Sequence, residues 1–273
     1  MEAIAAADAA TALTFVDTPP SDTSLLTDAV LEKSQQLAAI SDISTTESNT
    51  NSVAYASYKM GDTAVTATFR LRAVPQGYAI TNGIQKEDLS GVCEPCTGIS
   101  INGAAITQSS VNVFPGTYQF GASSPLLAVT GDNFNFTGAP QFNWAKVSIK
   151  LAPGANATLG AAAQAVLDSC LQEKATPTRC GFGIPTLDGV TPAPDSITYT
   201  PDYSWAKPLT EVRCGLAQTS VTQAVCTAPI VIDYSVMDTS GEPFSGEINA
   251  FMEADIDISD PNHLVATLSS TWN

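Results

Sequence analysis

The chain has 273 residues, 44% of them hydrophobic and 14% charged, with a mean hydropathy of +0.09. That balance is too apolar for a disordered chain and too lightly charged for an ordinary cytosolic enzyme. Eleven Lys and Arg against twenty-seven Asp and Glu give a formal charge of −16, which repels phosphate backbones and anionic headgroups and excludes nucleic acid and acidic membrane surfaces as partners.

Residues 1–21 open with an Ala-rich run and end at Phe15, Val16 and the Pro19-Pro20 break. The run has neither the basic flank nor the Leu/Val-rich centre of a secretory signal, and it reads as a linker or juxtamembrane stalk. Residues 22–90 read as a helix plus a β meander. In TSLLTDAVLEKSQQLAAI the residues Leu26, Val30, Leu37 and Ile40 recur at approximate helical spacing, with Thr23 or Ser24 as N-cap. SDISTTESNTNS reads as a polar loop. Beyond it Val65, Ala67, Phe69 and Leu71 alternate with Thr66, Thr68, Arg70 and Arg72, the period-two pattern of a half-buried strand. Turn signals at Gly61-Asp62 and Gln76-Gly77 divide SVAYASYKM, TAVTATFRLRAV and GYAITNGI into three strands.

Residues 91–139 read as a small β module, in which GISINGAAIT, SVNVFPGTYQF and LLAVTGDNFNFTG are separated by Asn-Gly and Pro-Gly turns. Residues 140–273 read as a helix plus an antiparallel sheet. QFNWAKVSIKLA is its first strand, and a helix follows from Asn156 to Lys174 carrying Leu159, Ala163, Val166 and Leu167. EVRCGLAQ and QAVCTAPIVIDYSV are the next strands. The strand after them sets Ile248, Ala250, Met252, Ala254, Ile256 and Ile258 on one face and Asn249, Phe251, Glu253, Asp255 and Asp257 on the other, and a last strand closes the chain from His263 to Trp272. ASYKMGDTAVTATFRLR and DYSVMDTSGEPFSGEINAF share an order of Tyr-containing strand, Asp-Thr turn and alternating strand; this faint repeat suggests two related helix-plus-sheet units. The fold class expected is α+β, mostly antiparallel β, with helix-plus-curved-sheet modules flanking a small β module.

The six cysteines fall as sequence neighbours: Cys93 with Cys96, Cys170 with Cys180, and Cys214 with Cys226. An even, paired set predicts three disulfides. Zinc would need a second close pair or several imidazoles, yet only Cys93 and Cys96 are closely spaced and the sole histidine is His263, so no metal and no cofactor are expected. Cys170 lies in the last turn of its helix. Cys214 and Cys226 are equidistant from Ser220, as a cross-strand bridge in a hairpin requires. Disulfides imply an oxidising compartment. No apolar run reaches the roughly 18 residues that span a bilayer, so a signal peptide or single transmembrane anchor is expected upstream of Met1, and membrane attachment only through that anchor.

INGAAIT followed by VNVFPGTYQF resembles the PEGA-like β modules, in which an I-N-G strand precedes a V-x-V-F-P-G-x-Y strand. The Cys170 helix, the Cys180-Gly-Phe segment and the long antiparallel sheet are similar to ectodomains of single-pass envelope proteins of high-GC Gram-positive bacteria, which commonly carry cone-shaped, nuclear-transport-factor-like domains. The resemblance covers patches between Gly98 and Trp272. It implies an extracytoplasmic location and brings no family active site.

The candidate sites are few. Cys93-Glu94-Pro95-Cys96 could exchange disulfides, but no helix follows to lower the first thiol's pKa and Glu94 would raise it, so a structural staple is expected. Glu253, Asp255 and Asp257 stand about 6–7 Å apart along one strand face, with Asp260 beyond. A straight strand is a poor calcium cage, and a solvated face is expected. His263 has no G-x-S-x-G nucleophile elbow to serve, so no catalytic residues are expected. Trp144, Trp205 and Trp272 could supply stacking platforms for a sugar or peptide, Trp205 with Tyr199 and Tyr203 being the candidate site; core packing is the commoner role of isolated tryptophans. The function expected is that of a non-enzymatic envelope ectodomain that binds a protein or wall component or acts as a spacer. The alternatives are a secreted carbohydrate- or small-ligand-binding protein and a thiol-disulfide oxidoreductase acting through Cys93 and Cys96.

Overall fold

Strands that alternate buried and exposed side chains must lie on one-sided sheets, and a one-sided sheet needs something laid across its apolar face. A computed structural model gives the structure, and it describes every residue except 48–51, 76, 132, 138–146, 185–190, 194, 205, 218–219 and 273. The protein is α+β and predominantly antiparallel β. It divides into two units, Met1–Ile149 and Lys150–Asn273.

The first unit begins with two short helices, α1 (Glu2–Ala5) and α2 (Ala9–Thr14), and a longer one, α3 (Asp28–Leu37). Four strands follow: β1 (Ile40–Glu47), β2 (Val53–Met60), β3 (Thr63–Val74) and β4 (Gly77–Ile80). They form an antiparallel meander in the order β1-β2-β3-β4. On β2 and β3 the inward rows are Ala56, Tyr58 and Met60 and Val65, Ala67 and Phe69, all buried. Ile4 of α1, Ala9 and Ala12 of α2, and Leu26 and Leu31 at the start of α3 complete the same core.

Three expectations are corrected here. Residues 1–21 are not a linker, because two helices within them bury Ile4, Ala9 and Ala12. The cap of α3 is Thr27, whose Oγ1 accepts from Val30 N–H at 3.4 Å, rather than Thr23 or Ser24. Leu26 and Leu31 then occupy the flanking positions of a hydrophobic staple, which fixes the chain's entry into the helix. The described part of the polar run at 41–52 is largely strand β1, pairing along β2 from Ile40↔Met60 to Glu47↔Ala54. An edge strand needs only one apolar row and tolerates Ser, Thr and Asp on its open side.

The boundary expected at residues 90–91 does not separate units. After β5 (Gln85–Asp88) come β6 (Ile99–Ile101), β7 (Ala104–Ile106), β8 (Ser110–Val113), β9 (Gly116–Tyr118), β10 (Phe120–Ala122), β11 (Leu127–Thr130) and β12 (Phe134–Phe136). They pair as β10-β6-β7, β12-β9 and β5-β8, so β5 reaches forward into the expected small module. Asn102, at the left-handed corner of the β6–β7 hairpin with φ 49°, fastens it to α3. Its Nδ2 donates to Val30 O at 3.2 Å and Thr117 O at 3.1 Å, and its Oδ1 accepts from Gln119 N–H at 2.9 Å. Ser34 of α3, fully buried, accepts from Thr117 N–H at 2.8 Å. Tyr118, Phe120, Phe134 and Phe136 form an aromatic cluster with centroids 5.1–5.7 Å apart.

β13 (Ser148–Leu151) crosses the border in sequence, near the boundary expected at 139–140. Among its described residues the second unit has one long helix, α4 (Ala155–Leu171), whose buried face includes Leu159, Gly160, Ala163, Leu167 and Cys170. Its sheet contains β14 (Thr198–Pro201), β15 (Cys214–Leu216), β16 (Gln223–Met237), β17 (Pro243–Asp257) and β18 (Val265–Trp272), in the order β14-β16-β17-β18 with β15 also on β16. β17 buries Ile248, Ala250, Met252, Ala254 and Ile256 and exposes Phe251, Glu253, Asp255 and Asp257, the faces read from the sequence. The two segments of the faint repeat are the β2–β3 and β16–β17 hairpins, each at the centre of a meander that follows a helix. No helix among the described residues is long and apolar enough to cross a membrane.

Candidate ligand cleft

A cavity of about 540 Å³ lies in the first unit between the N-terminal helices and the inward face of the meander. Its floor is set by the middle of the sheet. Ala54 and Ala56 of β2 line it, in register with Phe69 and Ala67 of β3. Short side chains there leave a trough, walled by Phe69 and Leu71 of β3, Ile43 and Thr45 of β1, and Ile80. The cover is the Ala-rich N-terminal segment: Ala3, Ile4, Ala6, Thr11, Ala12, Phe15 and Val16 all line the cavity. Alanine helices pack close yet cannot fill the space beneath them. A volume in this range, lined mostly by apolar side chains with a few polar groups, is that of an ordinary small-molecule site.

Directional bonds hold the cover. Asp8 caps α2, accepting from Thr11 N–H at 2.8 Å and Thr11 Oγ1 at 2.6 Å. These bonds hold the Asp8 carboxyl below the usual carboxylate range, the side-chain bond contributing most. Asp28 of α3 accepts from Ala9 N–H at 2.8 Å, and Gln35 donates to Ile4 O at 3.2 Å while accepting from Ile40 N–H at 2.8 Å. On the opposite side the chain leaving α2 joins the edge of β4: Ile80 N–H donates to Phe15 O at 2.7 Å and Asp17 N–H to Ile80 O at 2.9 Å. Arg72 pairs with Asp17 beside this junction. Phe15, 52% exposed, marks the rim, whereas Tyr55 alternates to the face of β2 opposite Ala54 and Ala56.

The residues singled out from the sequence lie elsewhere. All three disulfides join the expected neighbours: Cys93–Cys96, Cys170–Cys180 and Cys214–Cys226, with Cα separations of 4.8, 6.1 and 4.1 Å. Cys214 and Cys226 stand directly opposite one another on β15 and β16. Cys93 and Cys96 are 3% and 0% exposed, so neither sulfur is presented to a substrate. Tyr199 is not a stacking platform, because it is buried edge-to-face on Phe182 at 5.3 Å and its hydroxyl donates to Ala175 O at 3.0 Å. Tyr203 is exposed, its hydroxyl accepting from Gln164 Nε2 at 3.0 Å. Trp205 and Trp144 lie outside the described residues, as does the side chain of Trp272. His263 Nδ1 lies 2.9 Å from Asp260 Oδ2 in an exposed turn. Among the described residues no three His, Cys, Asp or Glu side chains converge as metal ligands.

The sequence reading missed the cleft. The available signal was the pairing of two facing features, an Ala-rich start and the small inward residues Ala54, Ala56 and Ala67, which individually look like a spacer and a weak strand. No family model, curated protein or solved structure matches this chain.

Proposed function

We propose that this protein is a non-enzymatic, extracytoplasmic binding protein whose first unit holds a small apolar molecule between α1–α2 and the meander. The observation that carries the proposal is the cavity of about 540 Å³ over Ala54 and Ala56. Three disulfides with no free cysteine support the compartment, as does the resemblance to envelope ectodomains. The spacer and the protein- or wall-binding readings leave that cavity without a use. The oxidoreductase reading needs an accessible thiolate, and burial of Cys93 and Cys96 argues against it.

The test is titration with the neutral fluorescent probe 1-N-phenylnaphthylamine, comparing the wild type with Ala54→Leu. A saturable 1:1 signal, lost in the variant while the unfolding temperature holds or rises, is the expected result, because the added methyl groups fill the trough. Absence of saturable binding in the wild type, or equal binding in the variant, would return the protein to the spacer reading.

A further inference from the structure

Resting on that cleft, we propose that its ligand is an amphiphile with a cationic head, a long-chain amine or quaternary ammonium compound whose tail lies over Ala54 and Ala56 and whose head meets the acidic rim. The side chains around the cavity are asymmetric in charge. Glu2 and Asp8 line it, and no Lys, Arg or His side chain does. Asp8 is committed to its ionised form, since both oxygens accept bonds from Thr11. Lys59 of β2 and Arg70 and Arg72 of β3 alternate with the inward row and belong to the other face of the sheet; Lys59 is paired with Asp42 at 2.7 Å, Arg72 is paired with Asp17, and none of the three borders the cavity. The Met1 α-amino group also borders it; burial pulls its pKa below the ordinary value while Glu2 pushes it up.

Two further features favour a cation. Phe15 stands exposed at the rim, and an aromatic face attracts an ammonium group that approaches it. The whole chain carries −16, so an approaching carboxylate or phosphate is repelled before it reaches the cleft and a cation is drawn in. A carboxylate head would meet no Lys, Arg or His side chain on entering, and only the Met1 α-amino group, already beside Glu2, as a basic partner. An uncharged alcohol would bind through its tail alone.

Competition against the neutral probe decides this. Dodecylamine, dodecyltrimethylammonium, dodecanol and dodecanoate share one tail and differ in the head. The two cations should displace the probe at concentrations about tenfold or more below dodecanoate, the order expected of two rim charges added to the long-range field. Raising the salt from low to high ionic strength should shrink that preference in the wild type. Glu2→Gln with Asp8→Asn should shrink it as well and leave dodecanol unchanged, since Asn retains the capping acceptor. The salt arm stands if that variant fails to fold. Equal or tighter binding of dodecanoate, or a preference indifferent to salt and to the double substitution, would overturn the cationic assignment while the cleft reading stood. Failure of every amphiphile and of the probe would overturn the cleft reading itself.

Discussion

Asn102 ties three segments together from one hairpin corner: its side chain bonds two carbonyls and one N–H from α3 and the chain around β9. Replacing it with Ala removes three hydrogen bonds, two of them at a buried position, and puts alanine at φ 49°, so Asn102→Ala should cost about 2–3 kcal/mol, read as a lower midpoint in urea unfolding. Gly160 of α4 is fixed by close approach, since a Cβ there would sit 2.4 Å from Leu209 O. Gly160→Ala should therefore lower the unfolding temperature although alanine is the better helix former. Glu87 on β5 is 9% exposed, and its carboxyl is pushed up by burial, with Gln85 partly opposing. A carboxyl whose folded pKa is raised opposes folding once it ionises: the cost begins above the unfolded value of about 4.3 and is complete above the folded pKa. Glu87→Gln should accordingly raise the unfolding temperature at pH 7, and the gain should fade as the pH drops toward 4. The I-N-G turn could be read from the sequence, but Asn102's long-range partners could not, because nothing local tells a capping asparagine from a strut.

At the scale of elements, the strands whose two faces differ were legible. β2, β3 and β17 follow their alternation almost residue by residue, and each cysteine pair closes as its spacing suggests. What escaped were elements stabilised from outside themselves. α1 and α2 have only four and six residues, too short to persist alone, and they exist because Asp8, Asp28, Gln35 and the β4 edge hold them. β1 is polar by composition and is recruited by β2. The Asp8 cap makes a checkable case. Its pKa is depressed by Thr11, so its contribution is complete above the unfolded value of about 3.9 and is lost as the pH falls through the lower folded value. Probe binding should hold down to about pH 4 and decline below it. The disulfides differ in weight: closing separations of 10 and 12 residues in the second unit is worth about 2–3 kcal/mol each on the chain-entropy estimate, and the separation of 3 at Cys93–Cys96 less. Mild reduction should thus lower the unfolding midpoint of Lys150–Asn273 more than that of Met1–Ile149, which hydrogen exchange resolved by segment would read.

Over the whole molecule, the two units share a plan, a helix followed by an antiparallel meander with a long central hairpin, and they use it differently. α4 lays Leu159, Ala163 and Leu167 into the core of the second unit. The first unit places Ala-rich helices above Ala54 and Ala56 and keeps a cavity. Hydrophobic alternation made the fold class readable and cysteine spacing the disulfide pairing. The cleft was not readable, because a void is a property of two distant segments brought face to face, and each of them is unremarkable by itself. The central claim is that an apolar molecule occupies that void. It is tested most directly by intermolecular NOEs between bound dodecylamine and the methyl groups of the protein. The account predicts contacts from the alkyl chain to the methyls of Ile4, Ala54, Ala56 and Ile80, with the headgroup methylene near Phe15. Contacts confined to Lys150–Asn273, or none at saturating ligand, would contradict it.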